Sequence, residues 1–301
     1  MINIIITSFN EPKSTLRAVQ AFLNQEIKEK FQIIVVDPFP EVKDFLKKEI
    51  KDSRVGFFLD PGEGKSYALN LLFEKIYSKN TEDIIIMTDG DVYVSQDSLK
   101  EIINAFKDKE IGCVTCHPIS LDSKDTKYGF WAHVAFSGIH KTRKRLSSQR
   151  KFFECSGYLF AIRNGVISSF PLETSEDSII PYLFWKKGYK IHYAEKAEVY
   201  VKNPSSWADW LAQKIRNIKA HENLNKIAPD LPRTKSLFNE IKEGAFYALT
   251  LPRTPKQAFW LAELYFARLY IYFKAFSELR KKSYADGWRG EAVTETTKTL
   301  D

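Results

Sequence analysis

Two features that define large classes of protein are scarce in this chain of 301 residues. It has only three cysteines, too few for the disulfide framework of a small secreted domain, which suggests a reducing compartment. It also has no charge-free apolar run of the about 20 residues that a membrane-spanning helix needs. Because the strand-like run 2–6 opens the given sequence, we expect no secretory leader. We therefore expect a cytoplasmic protein, either free or peripheral on the inner face of the cell membrane.

The composition is that of a folded protein, with 44% hydrophobic and 28% charged residues. The length allows one large domain or two. The net charge of +7 favours anionic partners such as nucleotides, phosphates or acidic lipids. It is too small to predict nucleic-acid binding.

A basic cluster without intervening acids occupies residues 141–151. Its members are Lys141, Arg143, Lys144, Arg145, Arg150 and Lys151. We predict that this cluster lies in a solvated loop, with binding to an anionic acceptor or to lipid head groups as the alternative.

Strand and helix patterns alternate four times over the first ninety residues. The predicted strands are 2–6, 31–36, 55–59 and a fourth marked by the apolar run 84–87. The first is followed by a helix that should run from Pro12 to about Glu29. This alternation predicts an α/β fold with a doubly wound, mostly parallel central sheet and helices on both faces.

Polar side chains follow the carboxyl end of each predicted strand. They are Asn10 and Glu11, Asp37, Lys65, and the pair Asp89 and Asp91. Because such ends meet at one edge of a parallel sheet, these side chains should lie close together. The sequence therefore predicts a pocket for a nucleoside diphosphate at that edge, together with a metal.

The segment Asp89-Gly90-Asp91 follows, after Thr88, four apolar residues in a row. It offers two carboxylates at a fixed spacing, with no histidine or cysteine nearby, and such ligands favour Mg²⁺ or Mn²⁺. The alternative is a solvated turn after a strand. A second motif, Gly64-Lys65-Ser66, is similar to a P-loop, but that motif requires glycine at the position of Leu59.

After Asp91 the alternation of strands and helices becomes less regular. We expect a strand over 153–162 that is interrupted by Gly157, a helix over 178–187, two short strands within 189–201 and an amphipathic helix over 207–223. A glycine inside a strand is typical of a place where a ligand approaches the backbone. From about residue 224 the chain reads as a helical extension.

Taken in order, these segments resemble those of the family 2 glycosyltransferases, inverting enzymes with the GT-A fold, over residues 1–222. The matching segments are Thr7-Ser8-Phe9-Asn10-Glu11, Asp37, Gly64-Lys65-Ser66-Tyr67-Ala68-Leu69-Asn70, Asp89-Gly90-Asp91 and Ser175-Glu176-Asp177. A sixth segment, 213–217, is similar to the Gln-x-x-Arg-Trp motif, with Asn217 in place of the tryptophan. The resemblance depends on the ordered set, since each motif alone is weak.

The resemblance implies a role for each matching position. Nucleotide-sugar binding would fall to Thr7, Phe9, Glu11, Asp37, Lys65 and Asp89. Asp91, together with Asp89, would hold Mn²⁺ or Mg²⁺, and Asp177 would be the catalytic base with Glu176 beside it. Gly157, Gln213 and Arg216 would lie on the acceptor and diphosphate side. Residues 1–95 would then form the nucleotide-sugar half of the catalytic domain and 96–222 the acceptor half, followed by a helical extension over 223–301.

The implied activity is inverting transfer of a sugar from a UDP- or GDP-linked donor to a glycan or lipid-linked acceptor. Two alternatives remain open. A sugar-1-phosphate nucleotidylyltransferase would need a glycine-rich loop with an arginine after the first strand, and residues 7–12 have neither. A non-catalytic module would bind nucleotides or acidic polymers through residues 141–151.

The segment 258–276 is apolar over most of a helical circumference. Charges at Glu263, Arg268 and Lys274 argue against a membrane-spanning helix. Two interpretations remain. One is an in-plane membrane helix flanked by Lys256 and residues 280–282. The other is a helix packed on its own domain or, through residues 255–283, on a partner subunit.

Overall fold

The centre of the protein is one eight-stranded sheet, in a computed structural model that describes residues 1–172, 174–232, 244 and 246–279. The strands are β1 Ile2–Thr7, β2 Phe31–Asp37, β3 Val55–Leu59, β4 Ile84–Asp89, β5 Tyr93–Val94, β6 Ile111–Ser120, β7 Leu159–Arg163 and β8 Lys190–Val201. They lie in the order β3-β2-β1-β4-β7-β6-β8-β5. The first four strands in this order are parallel to one another.

Helices cover both faces of the sheet. They are α1 Pro12–Leu23, α2 Pro40–Glu49, α3 Lys65–Ile76, α4 Ser98–Ala105, α5 Lys127–Ser148, α6 Glu176–Lys186, α7 Trp207–Ile227, α8 Phe246–Ala248 and α9 Pro255–Leu279. Ile4 packs with α1, α2 and α4 in one apolar cluster, whereas its neighbour Ile5 packs with α3 and α6 in another. Every residue of β1 and β4 is buried, because a parallel strand is covered on both faces. The predicted doubly wound α/β fold is confirmed.

The second half of the sheet is mixed in direction. β7 runs antiparallel between β4 and β6, and β8 runs parallel to β6. The strand predicted over 153–162 begins only at Leu159. The two strands predicted within 189–201 are one strand, β8, whose register jumps from Cys116↔Ala194 to His117↔Glu198. The residues bulged out by this jump interrupt the alternating pattern, so that one strand has the pattern of two.

Helix α1 ends at Leu23 and not near residue 29. The reason lies in Gln25, whose side chain connects the end of α1 to residues 95–99 at the start of α4. Its amide donates to the Ser95 carbonyl oxygen at 2.9 Å and accepts from the Leu99 N–H at 3.1 Å. This bridge to the start of α4 takes the chain away from a further helical turn.

The prediction of a solvated loop over 141–151 was wrong. Residues 141–148 form the last part of α5, whose first turn is capped by the Thr126 hydroxyl accepting from the Gly129 N–H at 3.2 Å. The charges of the cluster point to different places: Arg143 is buried, and Lys144 pairs with Glu195 at 2.8 Å. The cluster is therefore not a single basic patch.

Helix α9 packs its inner face against α5 and α7 in a third apolar cluster. The Trp131 indole N–H on α5 donates to the Trp260 carbonyl oxygen at 2.7 Å. The outer face of α9 leaves apolar rings exposed, as described below. In the described part of the chain, no helix combines the length and the apolarity needed to cross a membrane. The predicted basic flank at 280–282 lies outside the described residues.

Candidate active site at the carboxyl edge of the sheet

The ends of β1 and β4 lie side by side, with Thr7 paired in register with Asp89. The Thr7 hydroxyl donates to Asp89 Oδ1 at 3.1 Å, and the Gly90 N–H donates to the Thr7 carbonyl oxygen at 2.7 Å. A Cβ at position 90 would lie 2.8 Å from the Thr15 hydroxyl, so this close approach requires glycine. The Asp-Gly-Asp segment is thus fixed by backbone contacts and is not a free turn.

Asp37, at the end of β2, is buried beneath the loop that follows β1. Its carboxylate accepts from the N–H groups of Asn10 at 3.1 Å and Phe39 at 2.8 Å. Asn10 has a left-handed φ of 55°, which this hydrogen bond helps to hold. The ring of Phe9 meets that of Phe39 edge to face, with centroids 5.2 Å apart. Asp37 therefore shapes the loop that carries Phe9 and Glu11.

Lys65 begins helix α3 and is buried between two carboxylates. Its Nζ lies 2.7 Å from Asp89 Oδ1 and 2.6 Å from Glu176 Oε1. Burial by itself lowers the pKa of Lys65, but the charges of Asp89 and Glu176 outweigh it and raise the pKa above the ordinary value. Burial raises the pKa of Glu176, and Lys65 opposes that rise. The lysine thus joins the end of β4 to the start of α6.

Asp91 is a half-buried acid among other acids. Burial, followed by the charges of Asp89 and Glu11, raises the pKa of Asp91 to about 8. A cation would relieve this repulsion, and carboxylate oxygens are the ligands that Mn²⁺ and Mg²⁺ prefer. Within the described residues, no three His, Cys, Asp or Glu side chains form a ready metal site. The donor set therefore suits a cation that arrives with phosphate oxygens and water.

Asp177 stands in the first turn of α6, where neutral donors orient its carboxylate. The Gly157 N–H donates to Oδ2 at 3.1 Å, and the Ser175 hydroxyl donates to Oδ1. The Cys155 N–H donates to the carbonyl oxygen of Asp177 at 3.0 Å. Ser175 occupies the N-cap position, but its hydroxyl bonds to Asp177 and makes no cap hydrogen bond to the backbone.

Two buried charged residues near Asp177 were not predicted as part of the site. Arg143 donates from Nη2 to the Cys155 carbonyl oxygen at 2.9 Å, while its Nη1 has no hydrogen-bond partner in the described protein. Glu154 accepts from the Ser178 hydroxyl at 2.7 Å, and His221 Nδ1 lies 3.5 Å from it. Burial lowers the pKa of Arg143. The 141–151 cluster was the one sequence feature that pointed to this arginine.

One cavity of about 800 Å³ collects ten of the twelve predicted site residues. They are Phe9, Glu11, Lys65, Asp89, Asp91, Gly157, Glu176, Asp177, Gln213 and Arg216. Thr7 and Asp37 do not line it and stand behind its wall, bonded to Asp89 and to the Phe9 loop. The volume lies in the usual range for ligand pockets. The same cavity thus holds the acids Asp89 and Asp91 and the oriented carboxylate of Asp177.

Comparison with known proteins adds to this geometry. The model of a family described as "Glycosyltransferase like family 2" matches residues 2–220. A search of curated proteins gave no match. Among solved structures, the mannosyltransferase PcManGT from Pyrobaculum calidifontis, in complex with GDP-Man and Mn²⁺, is similar with a TM-score of 0.59 and 16% identity, over 93% of this chain and 78% of that one. At this identity the similarity concerns the fold.

Two further structures are less similar. S. aureus TarS 1–349 in complex with UDP-GlcNAc has a TM-score of 0.48 and 14% identity, over 86% of this chain and 78% of that chain. GalNAc-T7 with UDP, GalNAc and Mn²⁺ has a TM-score of 0.48 and 16% identity, over 85% of this chain and 58% of that chain.

Proposed function

This chain belongs to the glycosyltransferase family 2 proteins, and from that premise we propose that it transfers a sugar from a UDP- or GDP-linked donor to an acceptor hydroxyl, with inversion. The observation that carries the proposal is the single cavity that contains both Asp91 and Asp177. The match to residues 2–220 supports a catalytic domain over about 1–222, with residues 223–301 as an extension.

The donor would lie along the carboxyl ends of β1, β2 and β4. Phe9 and Glu11 line the cavity there, and we assign them to the nucleoside. Behind the cavity wall, Thr7 holds Asp89 and Asp37 holds the loop that carries Phe9 and Glu11. Lys65 keeps Asp89 and Glu176 in place beside the diphosphate.

We propose Asp91 as the direct ligand of Mn²⁺ or Mg²⁺, with Asp89 as its neighbour. Asp89 already accepts from Lys65 and Thr7, whereas Asp91 has a raised pKa that a cation would lower. The complex of PcManGT with GDP-Man and Mn²⁺ supports such a cation. When bound, the ion would supply positive charge to the leaving diphosphate.

Asp177 would act as the general base at the acceptor end. The acceptor hydroxyl gives its proton to the Asp177 carboxylate while its oxygen bonds to the anomeric carbon. The bond from that carbon to the diphosphate breaks, and its electron pair leaves with the phosphate oxygen. One such displacement inverts the anomeric centre. Glu176 is bonded to Lys65, so we assign the proton to Asp177, with Gln213 and Arg216 of α7 facing the acceptor and diphosphate.

The two alternative functions gain no support. The loop after β1 has neither the glycines nor the arginine of a nucleotidylyltransferase. A binding module would need the 141–151 cluster to form one surface, but Arg143 is buried and Lys144 is paired with Glu195.

A panel of UDP- and GDP-sugars, each measured by thermal shift with and without Mn²⁺, tests the proposal. We expect one donor to raise the melting temperature with Mn²⁺, because a ligand that binds only the folded state stabilises it by mass action. EDTA should remove that increase. If no donor raises the melting temperature, the proposed donor site is wrong.

The Asp91→Asn variant should be more stable than wild type in EDTA and should lose the Mn²⁺-dependent donor shift. The substitution removes a charge that burial, Asp89 and Glu11 all disfavour, so we expect the melting temperature to rise by about 2 °C or more. Thermal melting in EDTA and in Mn²⁺ plus donor measures both effects. Asp97→Asn, at an exposed acid before α4, is the matched control and should change neither. A lower melting temperature in EDTA would contradict the argument.

A further inference from the structure

The cavity that contains Asp91 and Asp177 extends between helices α5 and α9, where its lining becomes apolar. From α5 it is lined by Trp131, Phe136 and Ile139, and from α9 by Leu261, Leu264 and Leu269. Among the charged residues here is Arg268, whose guanidinium lies over the Tyr272 ring, 5.5 Å from its centroid. We call this part the apolar arm. The sugar and the diphosphate of a nucleotide-sugar are polar and would gain little from such a lining.

The apolar arm reaches the protein surface. Ile139 and Leu269 line it and are also 36% and 51% exposed. Leu269 lies three residues after Phe266 and four residues before Phe273, so it shares a face of α9 with exposed rings. Rings that recur every seven residues form a stripe, because seven residues make about two helical turns. The stripe comprises Phe259, Phe266 and Phe273, which are 65%, 74% and 75% exposed. Apolar side chains thus line the arm and continue on the outer face of α9.

The surroundings of the stripe suit a lipid surface more than water. Contiguous exposed apolar residues usually mark an interaction site. Lys256 and Arg253 are exposed at the start of α9, next to the first ring of the stripe. A helix with an apolar face and basic residues at its edge binds in the plane of an anionic membrane.

We infer that the acceptor is an amphiphile drawn from a lipid bilayer, whose hydrocarbon chain lies in the apolar arm while its reacting hydroxyl meets Asp177. This inference rests on the proposed function, since it names the acceptor of that same site. The α9 stripe meets the bilayer, and the opening at Ile139 and Leu269 admits the chain.

Alkyl maltosides of increasing chain length, carrying bromine on the chain, test the apolar arm without any donor. Bromine quenches tryptophan fluorescence on contact, and Trp131 and Trp210 line the cavity. Below the critical micelle concentration, we expect saturable quenching with an affinity that rises up to about four-fold per methylene, which corresponds to ~0.8 kcal/mol for a buried CH₂. Absent quenching, or an affinity independent of chain length, would overturn the inference.

The Gly138→Phe variant should block the arm. Gly138 lines the cavity within α5, and a Cβ there would meet nothing within 4 Å, so the ring enters open space and the helix loses an unfavourable glycine. We expect the alkyl maltoside affinity to fall at least ten-fold. Ser137→Phe, the adjacent residue outside the lining, is the matched control and should bind like wild type. Equal binding by both variants would overturn the inference.

Two more measurements separate the remaining outcomes. The donor-induced thermal shift is recorded on the same variants, so that a failure of the proposed donor site is seen apart from a failure of the arm.

Flotation with phosphatidylcholine vesicles containing phosphatidylglycerol tests the bilayer as the source of the acceptor. Wild type should float, and a Phe266→Ser, Phe273→Ser double variant should not. Wild type that stays at the bottom overturns the bilayer as source. A change of that double variant from dimer to monomer would instead identify the stripe as a contact between copies.

Discussion

The Asp177→Asn variant is expected to lose sugar transfer by about two orders of magnitude or more while it still binds donor. An asparagine at this position retains an oxygen that can accept from the Gly157 N–H, so the start of α6 keeps its geometry. It cannot accept the proton of the acceptor hydroxyl at neutral pH, so the displacement loses its base. The side chains at the ends of β1 and β4, which we assign to the donor, are unchanged in this variant.

Transfer rate at saturating donor and the donor-induced thermal shift are measured together for this variant. Asp97→Asn again serves as the matched control, since it makes the same chemical change at an exposed acid. Ser175→Ala removes only one hydrogen bond to the Asp177 carboxylate, so its loss should be far smaller. Near-normal transfer by Asp177→Asn would remove Asp177 from the role of base.

The Lys65→Met variant is expected to be less stable than wild type by about 3–5 kcal/mol, because it leaves two buried carboxylates without their cation. Asp89 and Glu176 both lie within 2.7 Å of the lysine Nζ, and all three groups are buried. Urea unfolding measures the loss. A double variant that adds Glu176→Gln removes one of the stranded charges and should recover part of the stability. Equal stability of the single and double variants would show that the charges are not coupled in this way.

The pH dependence of that loss provides a second check. In wild type the pKa of Lys65 is raised, so its contribution to stability is fully present below its ordinary value of 10.5 and declines only at higher pH. In wild type, burial raises the pKa of Glu176 and Lys65 opposes that rise, so without the lysine Glu176 should bind its proton more tightly in the folded state than in the unfolded state. Protonation therefore favours the folded variant, and its deficit should be smaller at pH 5 than at pH 8. A deficit that grows on acidification would contradict the assignment.

The sequence predicted well which residues meet at the carboxyl edge of the sheet, for a physical reason. A parallel strand buried on both faces is a continuous apolar run, and the polar residue that ends the run marks the edge of the sheet. Asp37 and Asp89 could therefore be assigned to that edge from the chain alone. The different surroundings of these two residues could not be predicted. The hydrogen bonds to Asp37 come from Asn10 and Phe39, whose backbone course is set by tertiary contacts.

The part of the cavity formed by α5, α7 and α9 was predicted poorly. Helix α5 was missed because its apolar residues Phe130, Trp131 and Val134 pack on α7 and α9 and not on the sheet. The alternation of strands and helices therefore did not indicate a helix at this place. The burial of Arg143 depends on the course of residues 152–157, which form no regular strand. Contacts between segments so far apart in the chain leave little trace in local periodicity.

Helix α9 lies outside the stretch of sequence that matches the family, and this position bears on how donor and acceptor specificity would be encoded. The family match ends at residue 220, yet α9, which begins at Pro255, contributes one wall of the cavity. Under the proposed function, the residues that make and break bonds and the wall that would contact the acceptor are encoded in different stretches of sequence. A chimera that exchanges residues 255–279 with those of a relative should redirect the enzyme to another acceptor while its donor preference stays the same.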